Sequence, residues 1–360
     1  MKAAILKAFG TPLVVEDVPA PTLGTGEVIV DMVAAGVLSY SREVYSGERQ
    51  YLLETPVVPG SSGIGRVRAF GPDATRLAVG DWVFCDSTVR SRDDAIAPDI
   101  TLQGLSAGNA DGGLRLQRYY HDGSYAQQML TPTENVVRLH DFEPAKAAAW
   151  CGMGSLLVAY GGLLSIDLKA GETLVVNGAT GKFGSAAVEV ALAMGAAWVI
   201  ATGRNRVVLE EVARRFGPRV RPVAMTGAEE ANRASILKAA SGPIDCVFDI
   251  LPPQASPAQV RTALLAVRPN GRVSLMGGVG MVSGAELPLP YRWIMRNNIT
   301  IRGQWMYPRE AVTRMIGLIE AGLIDLGHRE VTTFPLADIN AAIDHAAAHA
   351  GPFSMTVIQQ

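Results

Sequence analysis

Residues 174–184 read LVVNGATGKFG, and the fold follows from what such a stretch can build. A short apolar run leads into three glycines spaced three apart, Gly178, Gly181 and Gly184, and a helix-compatible run follows from Ser185. When a strand turns on glycine into a helix, the first backbone N–H groups of that helix stay unpaired. Together with the helix dipole they favour an anion such as a diphosphate. Gly184 lets the helix pack closely on its sheet. A structural turn can share the spacing, but the strand before it and the helix after it favour a dinucleotide site built on Gly178, Thr180, Gly181, Lys182, Phe183 and Gly184.

Working outward, strand-like segments at 173–177, 198–202, 245–250 and 272–276 alternate with helix-like segments at 185–194, 207–216 and 257–267. That rhythm predicts a parallel sheet covered by helices on both faces. A strand at 298–302, helices at 309–320 and 338–349, and a returning strand at 353–358 complete this half. The first 140 residues read differently, as short strands at 3–7, 13–18, 28–34, 64–70, 81–85 and 135–139. Between 90 and 121 a Gly-, Asp- and Ser-rich stretch has little periodicity and predicts a lobe or lid. The expected domains are 1–145, 146–306 and a C-terminal segment, 307–360, that returns to the first.

At the end of the second strand an NAD-specific site places an acid for the ribose hydroxyls. Here the residues are Gly203, Arg204 and Asn205, so a guanidinium replaces the acid and attracts a 2′-phosphate. NADPH is the expected cofactor, the other reading being that Arg204 and Arg206 only solvate a turn. Met276, Gly277 and Gly278, with the turn at 251–253, are expected near the nicotinamide.

Composition narrows the function classes. The 360 residues are 48% hydrophobic and 18% charged with mean hydropathy +0.19, which excludes a disordered chain and allows two cores. With 32 Lys and Arg against 34 Asp and Glu there is no basic field for nucleic acid or an anionic membrane. Residues 147–166 are uncharged over a membrane-spanning length, yet Gly152, Gly154, Gly161 and Gly162 suit a buried helix. Cys85, Cys151 and Cys246 form no CxxC pair, and the opening MKAAILK has no signal-peptide run, so a cytoplasmic enzyme is expected.

Further motifs occur in a telling order: MKAAILKAFGTPLVVEDVPAP at 1–21, GEVIVDMVAAGV at 26–37, PGSSGIGRV at 59–67, GDWVF at 80–84, DGSYAQQM at 122–129 and NNITIRG at 297–303. Together with the glycine turn they resemble the medium-chain dehydrogenase/reductase superfamily, specifically its zinc-free, quinone-oxidoreductase-like members. The resemblance implies an α/β protein with a GroES-like β-barrel catalytic domain, a Rossmann doubly wound parallel-sheet domain and an active-site cleft between them. It also implies a homodimer, or a dimer of dimers, joined through the strand at 298–302. Zinc-dependent relatives carry a cysteine after AAGV and a His-Glu pair after PG, where this chain has Leu38, Ser61 and Ser62. Cys151 lies near the place of a third ligand, and the region 90–121, where relatives hold a four-cysteine zinc lobe, has no cysteine. No metal is expected at either place.

Without a metal, a side chain must protonate or hydrogen-bond the substrate oxygen. By the resemblance, Tyr40 falls where zinc alcohol dehydrogenases place the hydroxyl of their proton relay, with Ser39 beside it; a packing role for Tyr40 is the alternative. The Asn and Asp usual in quinone reductases are replaced by Leu38 and Ser41. Trp293 and Trp305, with Met306 and Tyr307, bracket the strand at 298–302 and are candidates for an apolar substrate pocket or for core and dimer packing. His345 and His349 have a helical metal-binding spacing, and His121 beside Asp122 is a candidate loop base. The expected activity is zinc-independent, NADPH-dependent hydride transfer to a small apolar quinone or α,β-unsaturated carbonyl. An NADP-dependent alcohol dehydrogenase or carbonyl reductase is the alternative, and a non-catalytic nicotinamide-binding regulator the second.

Overall fold

The computed structural model describes residues 1–108 and 111–360, and its strands between residues 173 and 303 form a six-stranded parallel sheet. In space they run Val220–Ala224, Trp198–Gly203, Thr173–Asn177, Cys246–Asp249, Arg272–Leu275 and Thr300–Gly303. In chain order this is 3-2-1-4-5-6, the doubly wound arrangement whose ligands bind where the strand order reverses, outside the strand C-termini. Val175 pairs with Ile200 on one side and Val247 on the other, and all three belong to one buried core. The near-continuous apolar runs are legible because helices cover both faces.

The third strand, Val220–Ala224, and the helix Glu229–Ala240 escape the sequence reading. The strand reads VRPVA, and its charge and proline argue against a central strand; both are tolerated because it lies at the sheet edge. Arg221 stacks on Trp198 at 3.6 Å and donates to the carbonyl oxygens of Ala239 and Ala240, capping that helix.

The N-terminal unit is a separate, mainly antiparallel structure. Its long strand Glu27–Val37 pairs with Gly63–Phe70, Gln128–Pro132 and the last strand of the chain, Ser354–Gln359. Val28, Val30, Met32, Val67, Val83 and Met129 fill its core. The units divide differently from the expected boundaries: Met1–Gly154, Arg329–Ala350 and Ser354–Gln360 form one, Ser155–His328 and Gly351–Phe353 the other. Residues 307–328 belong with the parallel sheet because the helix Ala311–Glu320 buries Ala311, Val312, Met315 and Ile316 in that unit. The uncharged stretch at 147–166 breaks at Cys151 and Gly152 into two helices, and no single helix among the described residues is long and apolar enough to cross a membrane.

The stretch at 90–121 contributes to a lobe of three short strands, Thr88–Arg90, Ile100–Leu102 and Ser106–Ala107, with the helix Asp111–Tyr119. Two buried glutamines fasten it. Gln103 Nε2 donates to the carbonyl oxygens of Asp122 and Leu130, at 2.8 and 2.6 Å, and Gln117 Nε2 donates to that of Leu52 at 2.9 Å. Backbone packs directly on backbone beneath it, since a Cβ on Gly123 would lie 1.9 Å from the Gly60 carbonyl oxygen and one on Gly104 2.4 Å from the same atom.

Candidate active-site residues

The glycine turn closes through its backbone. Gly178 takes φ +102°, a conformation glycine adopts freely, and the N–H groups of Gly178 and Ala179 bond the Thr202 carbonyl oxygen of the neighbouring strand. These two amides are therefore spent inside the turn. The helix Lys182–Ala193 begins after Gly181, which has no side chain to cap it, and the Ser185 N–H bonds the Gly181 carbonyl oxygen. The first-turn amides of Phe183 and Gly184 lie at the end of the helix that favours an anion. Gly184 is compulsory, because a Cβ there would lie 2.0 Å from the Gly178 carbonyl oxygen. Gly203 leaves room for Thr180, whose Cγ2 would be 2.4 Å from an added Cβ.

Beyond Gly203, Arg204 is exposed and makes no ion pair among the described residues, whereas Arg206 is paired with Glu210 at 2.8 Å. Asn205 has a structural task that the sequence reading did not assign: its Oδ1 accepts the Val208 N–H at 3.2 Å and caps the helix Arg206–Phe216. At the fifth strand, Met276 N–H bonds the Asp249 carbonyl oxygen and Gly278 N–H that of Leu251, so the glycine pair lies against the 251–253 turn.

Asp249 itself was missed. It ends the fourth strand fully buried, and Asn177 Nδ2 donates to its Oδ1 at 2.7 Å. Burial pushes its carboxyl up to about 7, while the hydrogen bonds from Asn177 and the Leu251 N–H act in the opposite sense. In a sequence, an acid closing a short apolar strand gives no sign of this, because burial is a tertiary property.

In the other unit, the long strand ends at Val37 and the chain turns through Leu38, Ser39 and Tyr40, all partly buried, into the helix Ser41–Ser46. The Arg49 guanidinium lies 4.1 Å from the centre of the Tyr40 ring and donates to Glu43; Tyr51 meets Tyr40 edge-on at 6.3 Å. Burial, and secondarily Tyr51, raise the Tyr40 hydroxyl well above its usual 10, with Arg49 opposing them. Tyr40 therefore keeps its proton at neutral pH. Arg49 and Tyr51 were not legible as neighbours because their contact with Tyr40 depends on how the chain folds back after residue 46.

Zinc is the metal that the resemblance raises, and the residues do not fit it. At the strand end stand Leu38, Ser61 and Ser62, none of which brings zinc a nitrogen, thiolate or carboxylate, and a Cβ on Gly36 would touch Cys151 Cβ at 3.6 Å, so Cys151 lies close to that strand. Among the described residues no group of three His, Cys, Asp or Glu could hold a metal ion. His345 and His349 stack at 4.1 Å, with the His345 Nδ1 at Thr356 Oγ1 and the His349 Nδ1 at the His345 carbonyl oxygen. His121 Nδ1 is held by Asp122 at 2.9 Å. The two tryptophans serve unlike surroundings: Trp293 packs on the parallel-sheet core, whereas Trp305 is 46% exposed.

Residues 24–141 match the family model described as the alcohol dehydrogenase GroES-like domain, and residues 183–321 match the one described as zinc-binding dehydrogenase. An alcohol dehydrogenase of Rhizobium meliloti (strain 1021) is 30% identical over 207 residues, 54% of this chain and 55% of that protein. One of Geobacillus stearothermophilus is 26% identical over 354 residues, 96% of this chain and 95% of that protein. In fold, an alcohol dehydrogenase from Thermus sp. ATN1 is similar with a TM-score of 0.80 at 22% identity, covering 100% of this chain and 99% of that one.

Proposed function

The chain belongs to the medium-chain dehydrogenase/reductase superfamily of oxidoreductases, and from that premise we propose that it is a cytoplasmic, zinc-independent, NADPH-dependent reductase of small apolar quinones or α,β-unsaturated carbonyls. The observation that carries this reading is the donor set after the long strand, where Leu38, Ser61 and Ser62 offer zinc no nitrogen, thiolate or carboxylate. The first-turn amides of Phe183 and Gly184 would hold the diphosphate beside Gly178, Thr180, Gly181 and Lys182, and Arg204 the 2′-phosphate. When bound, the reduced nicotinamide supplies hydride.

Tyr40 supplies the matching proton or hydrogen bond. Its hydroxyl remains protonated at neutral pH and can donate to a carbonyl oxygen as negative charge develops there, and Arg49 above its ring eases any charge left on the phenol. Ser39, next to it, offers a second hydroxyl. Tyr40→Phe is expected to lower turnover about tenfold, the worth of one hydrogen bond, and to leave NADPH affinity unchanged. Unaltered turnover in that variant would return Tyr40 to a packing role.

Carbonyl reduction, or alcohol oxidation in reverse, is the second reading, favoured by the relatives that are named alcohol dehydrogenases. Product analysis separates the two after chelator-treated protein is incubated with NADPH and an aryl-substituted enal. A saturated aldehyde is the expected product. An allylic alcohol would move the chain to the second reading, and bound NADPH without turnover on any acceptor would make it a non-catalytic binder. The edge strand Thr300–Gly303, preceded by Tyr291 and Met295 at 80% and 56% exposure, is the proposed homodimer contact. Light scattering that found one chain per particle would remove it.

A further inference from the structure

A line of buried polar side chains crosses the C-terminal ends of three neighbouring strands at the glycine turn. Thr202 Oγ1 donates to Asn177 Oδ1 at 2.8 Å, and Asn177 Nδ2 donates to Asp249 Oδ1 at 2.7 Å and to the Gln259 carbonyl oxygen at 3.2 Å. Asn177 immediately precedes Gly178, whose N–H bonds the carbonyl oxygen of that same Thr202. Asp249 thus orients the amide from which the turn departs. Its other oxygen lies against the fifth strand's loop, where a Cβ on Gly277 would come within 2.8 Å of Oδ2.

Asp249 is 2% exposed, and the groups that act on it are uncharged: the Asn177 amide from the first strand and the Leu251 N–H from the following turn. Gln259 on the adjoining helix and Gly277 beyond the fifth strand bring no charge either. A carboxylate without a cation or metal is costly to ionise in such a place. The ligand that the turn would receive is a polyanion, which adds to that cost.

We propose that Asp249 is a positioning residue for the dinucleotide turn whose charge state sets the affinity for the cofactor, the neutral acid holding the turn for the anion and the carboxylate opposing it. The inference rests on reading the turn as the NADPH site. Linkage requires that binding and protonation favour each other equally. Binding therefore transfers a fraction of a proton from buffer to Asp249 near pH 7. Below that pH the acid is neutral in free and bound protein alike, and affinity is highest. As pH rises through 7 the free protein ionises first, so affinity falls, and it levels once the bound form has ionised too.

Titration calorimetry of the wild-type chain with NADPH at pH 7, in buffers of unlike ionisation enthalpy, measures the proton directly and needs no variant. NADPH fluorescence titrations from pH 6.5 to 9 should show about fivefold weakening in the wild type. Asp249→Asn keeps the acceptor for Asn177 and should bind with neither the weakening nor the proton uptake. The 2′-phosphate titrates identically in both proteins and drops out of the difference. A wild type that takes up no proton, or an Asp249→Asn variant with the wild-type pH slope, overturns the proposal while leaving the NADPH site intact. Absence of NADPH binding to the wild type at every pH overturns the functional reading and this inference with it.

Discussion

Replacing Gly184 with alanine is expected to destabilise the parallel-sheet unit by at least about 3 kcal/mol and to weaken NADPH binding about 100-fold or more. The added Cβ would stand 2.0 Å from the Gly178 carbonyl oxygen, 2.6 Å from its carbon and 2.8 Å from Ala179 Cα. All three are backbone atoms, so no rotamer change relieves the clash. The turn has to open, and the amides of Lys182, Phe183 and residue 184 lose their common direction. Thermal unfolding should fall by roughly 6 °C or more. Gly181→Ala is the matched comparison, because its Cβ would meet the Gly178 carbonyl oxygen at an ordinary 3.6 Å and its φ is −92°. That variant should keep the wild-type unfolding temperature, whatever its Cβ does to an approaching diphosphate. Equal losses of stability in the two would mean that the close approach at Gly184 does not constrain the turn.

Arg204→Ala is expected to weaken NADPH by about 2.7 kcal/mol, roughly 100-fold, and to change NADH affinity by less than about twofold. The selectivity has a simple source. Arg204 stands exposed just past the second strand without an ion pair among the described residues, so its guanidinium is available to a 2′-phosphate, and no acid in that place competes for ribose hydroxyls. Arg206 makes a useful control, being occupied by Glu210. Parallel fluorescence titrations with both cofactors decide the matter. Equal weakening of NADPH and NADH would show that Arg204 supports the turn rather than reads the phosphate.

How much could be read in advance differs between the two units. The glycine turn was legible because its chemistry is local: a strand, three glycines and a helix start carry their own geometry within eleven residues. The third strand was not, since Arg221 and Pro222 fit a strand only at a sheet edge, and edge position is a property of the whole sheet. In the lobe the missing cysteines were plain, but its actual fastenings were not. Gln103 and Gln117 look like surface residues until they are seen buried, with their amides bonded to the backbone carbonyl oxygens of distant segments.

The amino-acid sequence by itself determined the alternation that makes the parallel sheet, the place of the glycine turn, the basic residue after the second strand and the lack of zinc donors at Leu38, Ser61 and Ser62. Each of these depends on residue type and spacing along a short stretch. Only the tertiary structure decided that Asn205 caps a helix, that residues 307–328 pack with the parallel sheet, that Tyr40 lies under Arg49, and that Asp249 meets Asn177 away from water. Those depend on burial and on contacts between distant segments. Desolvation, which gives Asp249 and Tyr40 their altered acidity, exists only once the surrounding chain has excluded water.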